Sequence, residues 1–170
     1  MSKIGAINYY LKFASLRVVI FLATVLVLAG CSLDTDDYKP NEFELEVFRL
    51  TNNERESLGI APLQWHSSLA SVARSHSEDM ARNNFMSHTG SDGSSPFDRM
   101  SRAGISFSTA AENVAAGYQT PESVVAGWMS SPGHRNNILN SGLTHLGVGY
   151  VYNSGSYYRH YWTQAFIKPR

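Results

Sequence analysis

The sequence predicts an α+β domain, with helices packed on a mainly antiparallel sheet, preceded by an export segment. Three observations carry that reading. Apolar residues recur at helical spacing from Phe43 to Leu139, strand-like alternation takes over after His145, and an apolar run ends before residue 31.

The elements follow in order. Lys3, Lys12 and Arg17 form a basic lead, and Val18 to Ala29 is apolar. A run of about a dozen residues is too short to cross a bilayer of about 30 Å as a helix, and it fits the hydrophobic region of a signal peptide, residues 1–30. Residues 31–41 are polar and acidic, contain Pro40, and read as a tether. The folded domain then occupies residues 42–170. Asn41 caps a first helix whose apolar positions are Phe43, Val47, Leu50 and Leu58, and Gly59 stops it. Pro62 to Trp65 is an extended link. Ser67 or Ser68 caps a second helix, striped by Leu69, Val72, Ala73, His76 and Met80 and running to about Asn84.

Ser87 to Ser95 is rich in Gly, Ser, Thr and Asp, the composition of a loop. Pro96 opens a short helix over Phe97 to Ala103, which Gly104 ends. Thr120 caps a helix with Pro121 at its first position and Val124, Val125 and Trp128 on its apolar side. Ser131-Pro132-Gly133-His134 breaks it, and another short helix reaches about Leu139. His145 to Tyr152 and Tyr158 to Ile167 read as strands, joined by a hairpin turn over Asn153 to Ser156.

Composition excludes some functions. The chain has 14 basic and 14 acidic residues, but three of the bases lie in the first 30 residues, which hold no acid. The remainder carries 11 against 14, a net of −3, with no basic run, so nucleic acid is not an expected partner. The single cysteine, Cys31, leaves no internal disulfide.

Two resemblances add to this. Leu28-Ala29-Gly30-Cys31 resembles the lipobox of bacterial lipoproteins, which implies cleavage before Cys31 and a thiol carrying diacylglycerol, with acyl chains such as palmitate holding the protein on a membrane. Ser32 after the cysteine suits the outer membrane if the source is Gram-negative. The expected location is therefore the cell envelope. Asn53-Glu54-Arg55, Leu63-Gln64-Trp65, the stretch His88 to Arg99, Glu112-Asn113, Trp128 through His134-Arg135, and Gly147 to Tyr150 with Tyr161 to Gln164 stand in the order that resembles the CAP (SCP-like) superfamily of cysteine-rich secretory, antigen 5 and pathogenesis-related 1 proteins. The likeness spans nearly all of Phe43 to Ile167 and implies an α-β-α sandwich.

It also implies a cleft with two histidines and two acids. His88 and His134 match the histidines, and Glu112 matches the first acid. The second acid lies three residues after the tryptophan in members that keep it; here Ser131 stands there. Two imidazoles and a carboxylate suit a divalent ion such as Zn²⁺, and the same three are the candidates for acid–base catalysis. A hydrolytic reading makes His88 or His134 the base and Ser130 or Ser131 the nucleophile, without a Gly-x-Ser-x-Gly elbow.

His76, on the apolar stripe, reads as a core histidine. His145 reads as a strand residue beside or away from the cleft, and His66 and His160 as surface or strand positions. Tyr157 to Trp162 resembles a sugar-stacking surface, although aromatics also fill sheets. Three function classes remain open. In order of preference they are a binding module for a lipid, small molecule or divalent metal, a protein-interaction module with a vestigial cleft, and a peptidase-like hydrolase.

Overall fold

A computed structural model describes residues 38–170. The signal peptide, Cys31 and the tether up to residue 37 lie outside the described residues. The elements are α1 (Glu42–Ser57), β1 (Gln64–Trp65), α2 (Ser67–Asn83), α3 (Pro96–Arg102), β2 (Phe107–Ala116), α4 (Pro121–Ser130), α5 (Pro132–Ile138), β3 (His145–Tyr152) and β4 (His160–Pro169).

Capping residues set most of the helix starts. Asn41 with Glu44, Ser95 with Asp98, and Thr120 with Ser123 each form a reciprocal capping box, and such a cap stabilises by about 1 kcal/mol. The second helix is the exception. His66 caps it, its Nδ1 accepting from Leu69 N at 3.2 Å, while Ser67 and Ser68 already lie inside the helix. An imidazole acceptor does here what a serine hydroxyl does elsewhere.

The sheet order is β1-β3-β4-β2. β3 pairs with β4 and β4 with β2 antiparallel, whereas the two residues of β1 pair parallel with β3, so the sheet is mixed. β2 is the strand that the sequence reading left unassigned. It lies at a sheet edge, and its exposed half is Ser108, Thr109 and small alanines rather than alternating large apolar residues.

Alternation along β4 builds the sandwich. Trp162 and Phe166 join Val47, Val124, Trp128 and Ile138 on the face covered by α1, α4 and α5. Tyr161, Ala165 and Ile167 turn to the other face, against Leu69, Ala73, Met80 and Met100 of α2 and α3. Two helical layers thus enclose one sheet, the α-β-α arrangement. On β3, Gly147 and Gly149 face α2. A Cβ at Gly147 would stand 2.2 Å from Ala70 N, and one at Gly149 would stand 2.1 Å from Arg74 N. The α2 backbone therefore rests directly on the strand, which only glycine permits.

The inner face of α1 differs from the expected stripe. Val47 is buried, but the residues that share its face are Glu44, Thr51 and Arg55, while Phe43 and Leu58 are exposed. Each buried polar group is satisfied. Arg55 donates to the carbonyls of Ala61, Ile138, Asn140 and Leu143. Glu44 takes Arg74 Nε at 2.8 Å and the Tyr150 amide at 3.0 Å. Tyr38 stacks on the Arg74 guanidinium and donates to Val148 O. The tether's last residues, from Tyr38, are thus packed on the domain, and with Glu44 they cover the free edge of β3 beyond β1.

Candidate functional site

The site sits where edge strand β2 meets the loop between α2 and α3. Successive residues of a strand point to opposite faces, and Glu112 and Asn113 use that alternation. Glu112 turns to the α2–α3 side. Its Oε1 meets His88 Nδ1 at 2.8 Å, and its Oε2 accepts from Arg99 Nη2 at 2.7 Å. The carboxylate is 5% exposed, Arg99 12% and His88 52%, so a buried anion is held between one buried cation and one half-open imidazole. Asn113 turns to the α5 side. It donates to His134 O and to Gln164 Oε1, both at 3.1 Å, and accepts from Asn137 at 2.8 Å. One residue fixes the His88 loop and the next fixes the helix that carries His134.

Arg99 does more than neutralise Glu112. Its Nη1 donates to the carbonyls of His88 and Ser94, each at 3.0 Å, and so ties both halves of the loop to α3. Behind this layer His76 is buried, with Nε2 on Ser87 O at 2.8 Å. Burial holds the His76 pKa below its ordinary value of 6.5, against the pull of the Glu112 charge. The His134 pKa is also lowered, first by burial and then by the charge of His88.

The structure brings His88 and Glu112 into contact and carries His134 on α5, held there through the Asn113 bond to its carbonyl. It sets other histidines apart. His145 packs edge-on against His66 with ring centroids 5.9 Å apart, and His160 bonds Tyr150. Ser131 sits at the junction of α4 and α5 and makes no side-chain capping bond; Ser130 Oγ donates to Ala126 O. Neither serine meets an imidazole. Sequence reasoning missed Arg99 as a site residue, although it lies eleven residues after His88 in the quoted loop. A lone arginine in a short helix carries no sequence signal of what it pairs with.

A groove of about 300 Å³ opens beside His134. Met86, Val114, Tyr118, Trp128 and Tyr158 line it, with Gly127 at its wall. Its surface is apolar and aromatic, and the imidazole stands at its polar end.

The metal expectation meets this geometry directly. Among the described residues no group of three or more His, Cys, Asp or Glu side chains is arranged to hold a metal ion. Both Glu112 oxygens are engaged, one by a guanidinium, so Glu112, His88 and His134 do not present three free donors to one point. The residues as placed do not fit a three-ligand shell.

The sequence model of the cysteine-rich secretory protein family matches residues 48–166. The chain belongs to this CAP family. It is 50% identical over 125 residues to the Bacillus subtilis protein YkwD, covering 74% of this chain and 47% of that one. It is 42% identical to the B. subtilis membrane protein YlbC, again over 74% of this chain but 34% of the relative. The chain thus spans less than half the length of these curated relatives. Among solved structures, an extracellular SCP-domain protein of Bacillus anthracis shares 37% identity with a TM-score of 0.66, covering 74% of this chain and 40% of that one. An outer surface protein of Borrelia burgdorferi has the same fold at 20% identity and a TM-score of 0.70, covering 78% of this chain and 97% of that one.

Proposed function

We propose that this CAP domain is an envelope protein, held on a membrane by acylated Cys31, that binds a small amphipathic ligand in the groove at His134. The groove carries the reading. An apolar groove with the His134 imidazole in its lining offers packing for a chain or ring system and a hydrogen bond for one polar head. The envelope location rests on the lipobox and on the descriptions of the relatives, which include a membrane protein, an extracellular protein and an outer surface protein.

A second reading has one observation behind it. His88 Nδ1 is committed to a carboxylate, the arrangement that orients an imidazole for metal binding through Nε2. On that reading His88 and His134 hold the ion and Glu112 acts from behind His88. The hydrolase reading has no comparable support, because no serine is poised against either imidazole.

One experiment separates these. Full-length protein extracted from its native membranes is compared with His88→Ala and His134→Ala by native mass spectrometry. A bound organic mass that His134→Ala loses supports the groove, and a bound metal mass that both variants lose supports the second reading. Protein that is empty, and stays empty after incubation with a lipid extract of its host and with zinc, would refute both. Loss of the acyl mass in Cys31→Ala checks the anchor.

A further inference from the structure

A second groove lies at the same end of the sheet as the His134 groove but on the α1–α4 face, and the two share no lining residue. Tyr150 stands opposite Trp162 and Tyr152 opposite His160 in the β3–β4 ladder, all on the face that α1 and α4 cover. Those helices begin near this end and leave it open. Trp162 is buried beneath, Phe43 lies over Tyr150, and Tyr152 is 54% exposed. The rings form a run. Centroids are 4.2 Å apart for Tyr150–Trp162, 4.9 Å for Phe43–Tyr150, 6.0 Å for Tyr150–His160 and 5.0 Å for Tyr152–His160. Along the strands the pairs repeat every two residues, about 6.8 Å. A groove of about 640 Å³ lies over them, rimmed by Asn41, Glu42 and Gln119.

We propose that this aromatic groove binds a neutral, β-linked glycan chain, with pyranose faces stacked on Phe43, Tyr150 and Tyr152. Four observations select that occupant. First, the adjacent rings are tilted by 27° to 58° and their centroids are 4.2 to 6.0 Å apart, so they pack on one another and do not make the open box that a quaternary ammonium requires. Second, no Lys or Arg lines the groove and Glu42 does, which disfavours phosphate-bearing polymers and anionic lipid. Third, Tyr152 is 54% and Phe43 36% exposed, so these two rings stay open to a ligand. Fourth, the rim mixes donors and acceptors. Gln119, Asn41, the Glu42 carboxylate and His160, whose Nδ1 is already bonded to Tyr150 Oη at 2.9 Å, match the hydroxyls of a sugar; an acyl chain would leave them unpaired.

The test uses the full chain in detergent micelles, titrated calorimetrically with chitotetraose and with cellotetraose. Saturable binding to at least one is expected. Tyr152→Ala should weaken it about tenfold, the loss of one stacked ring, while Tyr152→Phe stays within about threefold. Phe97→Ala, an exposed ring on α3, should leave binding unchanged. Absence of saturable binding to both sugars would overturn the proposal, as would equal affinity in Tyr152→Ala. Displacement of the sugar by tetramethylammonium would reassign the rings to a cation and also overturn it. Because Tyr152 is largely exposed, its replacement tests binding and not folding.

Discussion

Arg99→Met is the substitution that reads the site most directly. It removes a guanidinium that donates to Glu112 at 2.7 Å and to the carbonyls of His88 and Ser94 at 3.0 Å each, while keeping a long side chain against α3. It leaves a carboxylate that is 5% exposed with His88 as its remaining side-chain partner among the described residues. Breaking a buried ion pair from one side costs about 3–5 kcal/mol, and the lower end applies because the His88 bond survives. A domain of about 130 residues loses about 3.6 °C per kcal/mol, so the melting temperature should fall by about 10 °C. Adding Glu112→Gln should recover part of the loss, since the amide needs no counter-charge, and the double-mutant coupling should exceed about 1.5 kcal/mol. Thermal and denaturant unfolding of the wild type, both single variants and the double variant measure this. A fall below about 3 °C, or additivity within about 0.5 kcal/mol, would refute the view that Arg99 and Glu112 jointly anchor the His88 loop.

Two further perturbations test the frame that holds the site. In Gly149→Ala the new methyl would meet the backbone of Ala73 and Arg74, which cannot rotate aside, so α2 must lift from the sheet at a cost of about 3 kcal/mol or about 10 °C. Gly133→Ala is the control, because nothing lies within 4 Å of its Cβ on helix α5, and a gain of about 0.5 kcal/mol is expected there; near-equal melting of Gly149→Ala and wild type would show that α2 is not seated on β3. The third prediction concerns acid. His76 is neutral when folded, with Glu112, Arg99 and Asp79 the charges around it, and its pKa is held below 6.5. As pH falls below that value the unfolded chain takes up a proton that the folded chain resists, so stability is lost downward from there, by up to about 1.4 kcal/mol per pH unit. His134, His145 and His160 are shifted the same way and add to the wild-type slope. His76→Met should flatten the stability profile below pH 6.5, and an unchanged slope would place the acid sensitivity in those other histidines.

How far the sequence was legible depends on whether its signal was local. Asn41, Ser95 and Thr120 announce helix starts because a capping side chain bonds to an amide three residues away. The buried side of α1 was not legible, since Glu44, Thr51 and Arg55 are satisfied by partners as distant as Leu143, Tyr150 and Gln164. β2 was hidden for a related reason. Its pairing with β4 is long-range, and its exposed half lacks the apolar alternation that marks a strand. Without β2 the roles of Glu112 and Asn113 stay merged, because only a strand's period of two sends one to His88 and the other to His134. The resemblance supplied the three site residues, but not the guanidinium between them.

That guanidinium changes what the cleft can hold. Ser131 occupies the position where the family resemblance implies a second acid, and α4 ends there without contributing a carboxylate. The charged groups that remain are one Glu112 and one Arg99, in contact and of opposite sign, beside two imidazoles of which burial keeps His134 toward its neutral form. A site with two carboxylates has surplus negative charge to offset a divalent ion; this one has none. Its polar capacity is hydrogen bonding from the imidazoles, and its remaining surface is the apolar wall of Tyr118, Trp128 and Tyr158. Under the proposed function, serine at position 131 suits the cleft to an uncharged or weakly anionic head group with an apolar body better than to a cation.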